Sequence, residues 1–498
     1  MATFTFDRQP KLQFLDQSQI LEIHKNALEI LARAGMYFDC EEALAILEKA
    51  GCTVDWPQKI AHFPGDLVES CLRQVPETFA LYDREGEPAL VIGGDNCCFD
   101  PGSAGMYFLE SDGITARPAV TADLVKVFRL ADALEHFPLQ STALSLDDVP
   151  KEICDCFRVY LLMKHSKKPM AAGAFDVDGI GYIASLLAAV RGGEEALREK
   201  PLALIDICSS PSLKWTHISC RNIIDCVRFG LPIETISVPM PGAVSPATIA
   251  GSLLVHIAET LSGIVLAQSI RPGHPMVFGG APMTFDMRYS TTSLNAVETN
   301  LISTSYAQMA RYYGIPSHTY AALADPKVLD AQAGLETAFS GLLAVMGGVN
   351  VIAGPGMLDF VNTFSLEKLV VDHEIIAMAK RIKQGFAINE ETMAVDLICE
   401  LGPGGDYMST DHTFQWFRKE LFIPPDIIDK KKRNVWEAEG KRDIRERARE
   451  KVAAVLSGHE SPALPEAAAD RLDGVMVAIM EKMNVDRLPF GPEKEVQK

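Results

Sequence analysis

The sequence predicts an α/β fold, a (β/α)8 TIM barrel with an N-terminal helical and β-hairpin extension and a C-terminal helical tail. Three observations predict it. Short apolar runs alternate with helical stretches between about 120 and 375, the pattern of parallel strands joined by crossover helices. Each run is bounded by Gly, Pro or Ser. Three of them lead into Gly/Pro turns, VPMPG (238–242), GGAPM (279–283) and AGPGM (353–357); in a barrel such turns lie on the C-terminal face, where chemistry is built.

The candidate strands are PLQSTAL (138–144), PMAAGAF (169–175), PLALIDIC (201–208), PIETISVPM (232–240), PMVFGGAP (275–282), IPSHTYAAL (315–323) and NVIAGPG (350–356). An eighth falls near LEKLVVD (366–372), a stretch that also reads as a helix start. A doubly wound sheet is the alternative architecture. Between the strands, Ser245 and Pro246 read as N-cap and first helical residue, and Asp330 opens AQAGLETAFSGLLAVMGG. Residues 1–118 read as the extension, with helices ending at Gly35 and Gly51, then hairpins around turns at PGS and SDG. Residues 119–385 are the expected barrel. Residues 386–498 are the expected helical region packing on it, with the amphipathic stretch NVWEAEGKRDIRERAREKVAAVLSGH.

Composition narrows the function. The chain has a formal charge of −19 and a pI near 5.1. An acidic surface repels phosphate backbones, which argues against nucleic acid and is compatible with a cationic small molecule. The 11 cysteines are odd in number and include no CxxC pair, so they read as reduced thiols. No secretory leader is visible in MATFTFDRQPKLQF, and the long uncharged stretch Thr337 to Leu358 is broken by Gly and Pro; the expectation is a cytoplasmic protein with no membrane span. Walker A, GxGxxG, HExxH, HxH, GxSxG and DxHxxG patterns are all missing. Nothing local predicts nucleotide, dinucleotide, zinc or corrinoid bound by this chain itself.

Three blocks carry a resemblance: DPKVLDAQAGLETAFSGLLAVMGGVNVIAGPGMLDFVNTFSLEKLVVDHEI (325–375), FDPGSAGMYFLESDGITARPAVTADLVKVFRLADAL (99–134) and GGDYMSTDHTFQWFRKELFIPPDI (404–427). Together they resemble the trimethylamine methyltransferase family, over almost the whole chain. The resemblance implies a methyltransferase that passes a methyl group from an amine to the cobalt of a corrinoid. That corrinoid is carried by a separate partner protein, in metabolism of the methanogenic or acetogenic kind. Founding members carry pyrrolysine in the region matching Ala322 to Glu336, where every residue here is an ordinary one. That departure is similar to the non-pyrrolysine members, which use quaternary amines such as glycine betaine, proline betaine, carnitine or γ-butyrobetaine.

Such chemistry asks little of the protein. A quaternary nitrogen is already charged, so the amine leaves without first needing a proton. The nucleophile, Co(I), belongs to the partner. A dry pocket that orients the substrate is what the chain must supply. Aromatic faces would add about 0.5–2 kcal/mol each for the cation, and a betaine carboxylate would need N–H groups, His or Arg.

The expected substrate-binding residues are Phe175, Asp206, His318, Tyr320, Phe360 and His412, with no metal ligands. Phe175 and Phe360 follow strands, and either is equally at home in a core. Asp206 inside LALIDIC is a carboxylate that needs a partner. His318 and Tyr320, two apart on a strand, share a face. His412 either reaches the barrel mouth or caps a helix. Asp176, Phe285, Asp286, Arg288 and Lys327 also sit in strand-following loops; core packing is the plain alternative for Phe285, and a solvated surface role for Asp286, Arg288 and Lys327. The rival functions are a metal-dependent barrel lyase or hydrolase, and a non-catalytic betaine binder. A homo-oligomer is expected.

Overall fold

The computed structural model describes residues 10–102, 104–425 and 427–492. The leader reading at residues 1–9 and Ser103 of the first expected turn lie outside them. Eight short strands form the barrel: β1 (Cys98–Asp100), β2 (Gln140–Ser141), β3 (Met170–Ala172), β4 (Ala203–Cys208), β5 (Ile233–Ser237), β6 (Met276–Gly280), β7 (His318–Tyr320) and β8 (Val351–Ala353). Neighbours from β2 to β6 pair in parallel, as do β7 with β8 and β8 with β1. A parallel bridge from Phe278 to Ser317 joins β6 to β7. The last side closes where Ser141 Oγ donates to the Pro101 carbonyl and Gly105 bridges Leu144.

Each strand is followed by a helix: α1 (Thr121–Ala133), α2 (Lys151–His165), α3 (Gly179–Arg191), α4 (His217–Phe229), α5 (Ile249–Ile270), α6 (Val297–Tyr313), α7 (Ala331–Gly347) and α8 (Leu366–Gln384). α5 is apolar on all sides and long enough to cross a membrane, yet 78% of its apolar window is buried in the protein. The N-terminal helices Gln17–Arg33, Glu41–Ala50 and Gly65–Leu72 pack on its outer face. A helix covered on both sides needs no polar stripe.

All seven predicted runs contain a strand. The eighth expectation was misplaced. LEKLVVD opens α8, because the Ser365 side chain accepts from Lys368 N and caps a helix there. The missing strand is β1, three residues inside a stretch dense in turn signals. It alternates Cys98 and Asp100 inward with Phe99 outward, so it offers no apolar run. Ser245 likewise does not cap α5: the Thr248 side chain accepts from Gly251 N. In the tail, the amphipathic stretch is two helices, Arg433–Ala438 and Ile444–Gly458, the second restarted by a capping box on Asp443.

The barrel interior has two layers. The lower is apolar: Cys98, Leu139, Ala171, Leu204, Val277 and Val351 pack together with Leu81 and Ile92. The last two come from the hairpin of Thr78–Tyr82 and Pro88–Gly93, which plugs the N-terminal end. Two residues further along the strands the inward positions turn polar or small. At the rim, Asp372 on α8 accepts from Gly356 N at 2.7 Å and from Lys368 Nζ at 2.5 Å, and that ammonium also donates to Thr337 on α7 at 2.9 Å. Lys368 and Asp372 are fully buried. Lys368→Met is expected to strand the carboxylate and lower unfolding free energy by about 3–5 kcal/mol, and a paired Lys368→Met/Asp372→Leu to recover most of it; urea unfolding monitored by circular dichroism measures both.

Candidate active site

β4 and β5 set two acids side by side. In the parallel register Asp206 stands opposite Glu234, and its two-residue offset from Leu204 turns it inward. The two carboxyl groups hydrogen-bond each other, so one of them carries a proton. Burial raises Asp206 to about 6. Burial, and then the neighbouring charges of Asp206 and Asp100, hold Glu234 well above the carboxylate range. Asp100 on β1 is raised too, by burial first and Asp206 second. Burial and mutual repulsion thus oppose full ionisation of the three groups.

His318 Nδ1 lies 3.6 Å from Glu234 Oε1. This contact is not an ion pair: burial lowers the imidazole to about 3, so the ring is neutral. Gly279 makes the space for both. A Cβ there would stand 3.1 Å from Glu234 Cγ and 3.3 Å from His318 Nδ1.

A cavity of about 310 Å³ opens above this floor at the C-terminal ends of the strands. Asp100, Asp206, Cys208, Tyr320, Arg158 and Asn222 line it, and Phe175 stands at its edge. Tyr320 projects from β7 in register with Ala353 and, beyond it, Asp100; its ring meets His318 edge-on at 5.0 Å. Phe175 follows β3 and is 71% exposed. Its N–H donates to Asp155 on α2 at 2.6 Å, and Asp155 accepts from buried Arg158 at 2.6 Å. Arg158 in turn donates to the carbonyls of Thr142 and Leu144 after β2. Asn222 on α4 donates to the Ala174 carbonyl at 2.8 Å. Glu259 on α5 accepts from Ser209 and Ser237, tying the ends of β4 and β5 together.

The structure thus brings together four of the six expected residues: Asp206, Tyr320 and Phe175 at the cavity, with His318 beneath. Phe360 and His412 do not line it. Phe360, after β8, lies under Lys327 Nζ at 3.9 Å. His412 sits in the tail helix Asp411–Glu420, bonded to the Glu391 carbonyl at 3.2 Å and stacked on Trp416. Thr410, not His412, caps that helix. Asp286 and Arg288 form a surface pair at 2.6 Å. Sequence reasoning missed Asp100, Glu234, Arg158 and Asn222. Glu234, in PIETISV, carries the same signal as Asp206, an acid inside an apolar run.

A larger groove of about 910 Å³ runs between α1, α8 and the tail, but no barrel-strand residue lines it. Among the described residues, no group of three His, Cys, Asp or Glu side chains is placed to hold a metal ion.

Comparison with known proteins agrees with this geometry. The model of the trimethylamine methyltransferase (MTTB) family matches residues 2–483. A trimethylamine methyltransferase MttB of Desulfitobacterium hafniense (strain DSM 10664 / DCB-2) is 29% identical over 469 residues, 94% of each chain. The glycine betaine methyltransferase of Desulfitobacterium hafniense (strain Y51) is 32% identical over 457 residues, 91% of this chain and 94% of that one. In structure, the monomethylamine methyltransferase MtmB of Methanosarcina barkeri superposes with a TM-score of 0.55 at 12% identity, covering 95% of this chain and 88% of that chain. Fold and kinship define a (β/α)8-barrel methyltransferase. The chain belongs to the trimethylamine methyltransferase family.

The acid floor sets a pH dependence. A cationic ligand requires Asp206 ionised, and its ordinary value is raised to about 6. Affinity for a permanently charged amine is therefore expected to climb about tenfold per unit as pH rises toward 6 and to level above it. Calorimetric titration between pH 5 and 8 checks this, and Asp206→Asn should flatten the profile at the low-affinity end.

Proposed function

We propose that this enzyme moves a methyl group from a quaternary amine, a betaine such as glycine betaine, to the Co(I) corrinoid of a separate corrinoid protein. The observation that carries the reading is the floor of the cavity: Asp100 and Asp206 line it, and Glu234 stands beside Asp206 on the neighbouring strand. One anionic charge in a dry site suits one monocation. Two negative charges would grip the ground state and slow a reaction in which the positive charge fades.

The rest of the cavity supports a small zwitterion. Tyr320 and Phe175 offer aromatic faces to the N-methyl groups. Buried Arg158 lines the same cavity, and a guanidinium there supports a substrate that carries a carboxylate. The relative named as a glycine betaine methyltransferase covers 94% of its own length in the alignment. The ordinary residues at Ala322–Glu336 favour a quaternary substrate over trimethylamine.

The methyl acceptor must approach from solvent. Loops after β1, β3 and β6 expose Met106, Ile114, Phe175, Met287 and Tyr289 on the C-terminal face. Such apolar side chains on a mouth support docking of a partner and its macrocycle. On this reading the chain's own residues orient the nitrogen, exclude water and leave one methyl facing outward.

A panel of quaternary amines with a reduced corrinoid protein tests the proposal. A betaine should convert the acceptor to its methylated spectrum, and trimethylamine should not. The reverse order, or a requirement for stoichiometric bound zinc, would sink it. Tyr320→Leu is expected to raise KM for the betaine about 2- to 30-fold, the loss of one cation–π contact; steady-state kinetics with saturating acceptor measures it.

A further inference from the structure

The paired acids of β4 and β5 hold more than a charge. Asp206 reaches the cavity, while Glu234 behind it is 1% exposed. They stand at matched positions of neighbouring parallel strands and hydrogen-bond through their carboxyl groups. Two carboxyl groups in that contact share a proton by necessity, since two bare carboxylates would repel. Binding a quaternary cation does not use this proton, because the nitrogen has neither an N–H nor a lone pair. The proton stays in the site, one residue away from the reacting nitrogen on the reading above.

Resting on that reading, we propose that the Asp206–Glu234 pair delivers its shared proton to the tertiary amine formed when the methyl group departs. The C–N bond breaks with its electron pair staying on nitrogen. The methyl carbon forms its new bond with the electron pair of the low-valent cobalt acceptor. The new nitrogen lone pair takes the proton from the Asp206 carboxyl oxygen, which Glu234 has been supplying. The product is then an ammonium ion lying against two carboxylates. After it leaves, the pair regains one proton from water through the cavity mouth. Breaking the bond needs no acid, but removing the lone pair stops the amine from attacking the methylated acceptor in reverse. Asp206 is the residue that touches the amine; Glu234 is a positioning and proton-holding residue that acts through it.

The surroundings fit this assignment. The groups facing the pair are Asp100 on β1, Cys208 on β4, His318 on β7 and Tyr306 on α6, with Cys98 on β1 below. Cys208, Tyr306 and Cys98 are all pushed upward, chiefly by burial, and His318 is held neutral. The guanidinium that shares the cavity, Arg158, is paired with Asp155. Cys208, Tyr306, Cys98 and His318 so shifted hold no exchangeable proton near neutral pH, which leaves the acids of the floor as the store.

Calorimetry of the full chain at pH 7.5, in two buffers of different ionisation enthalpy, tests the proposal without any acceptor. Glycine betaine and N,N-dimethylglycine are the probes. The tertiary ammonium brings an N–H that takes the place of the shared proton, so its binding is expected to expel about one proton more per site than binding of the betaine. Glu234→Gln should erase that difference in proton release. In the reverse direction, with N,N-dimethylglycine and methylated acceptor, the same variant should speed remethylation of the amine at least about tenfold and flatten its pH profile. Equal proton release by the two ligands in the unaltered protein would overturn the proposal, whatever the variant does. If the betaine binds and is demethylated yet no proton difference is seen, the proton role falls and the amine reading stands. If neither ligand binds, the amine reading falls and takes the proton role with it.

Discussion

Everything distinctive about this barrel follows from three acids meeting in its dry interior. Asp100, Asp206 and Glu234 come from β1, β4 and β5 and share one layer. A low-dielectric site does not tolerate three negative charges, so burial and mutual repulsion push all three acids toward the protonated form. No single buried acid could supply such a coupled group.

That floor stays where it is because the surrounding loops are anchored from outside the barrel. Arg158 and Asp155 on α2 hold the turns after β2 and β3. Asn222 on α4 holds the same β3 turn from the other side. Glu259 on α5 ties β4 to β5, and the Lys368–Asp372 pair fixes the turn after β8. Below, the hairpin of residues 78–93 fills the opposite mouth with Leu81 and Ile92. The cavity therefore has one open end, and the exposed Phe175, Met287 and Tyr289 surround it. Such anchoring holds the lining side chains in fixed positions, which is what orienting a small substrate requires.

Legibility varied with the length of the signal. Runs of five or more apolar residues, such as LALIDIC and PMVFGGAP, announced β4 and β6 directly. β1 did not, because three residues with an inward acid leave no apolar run to read. Asp206 stood out as a carboxylate in an apolar strand. Glu234 had the same signature and was passed over. His318 and Tyr320 were paired correctly by the two-residue period, though only Tyr320 reaches the cavity. Phe360 and His412 stand away from the cavity for one reason: following a strand, or lying in a matching tail, says nothing about which way a loop turns.

The sequence by itself determined the barrel, the family and the chemistry class, because alternating periodicity and long diffuse similarity are properties of the chain in order. It also determined that Asp206 needed a partner. Tertiary structure alone decided who that partner was. Residues 100, 206 and 234 lie far apart along the chain, and only closure of the sheet with its particular register brings their carboxyl groups into one layer. The protonation state belongs to that closure as well, since the shift of each acid is set by burial and by the charge of the others.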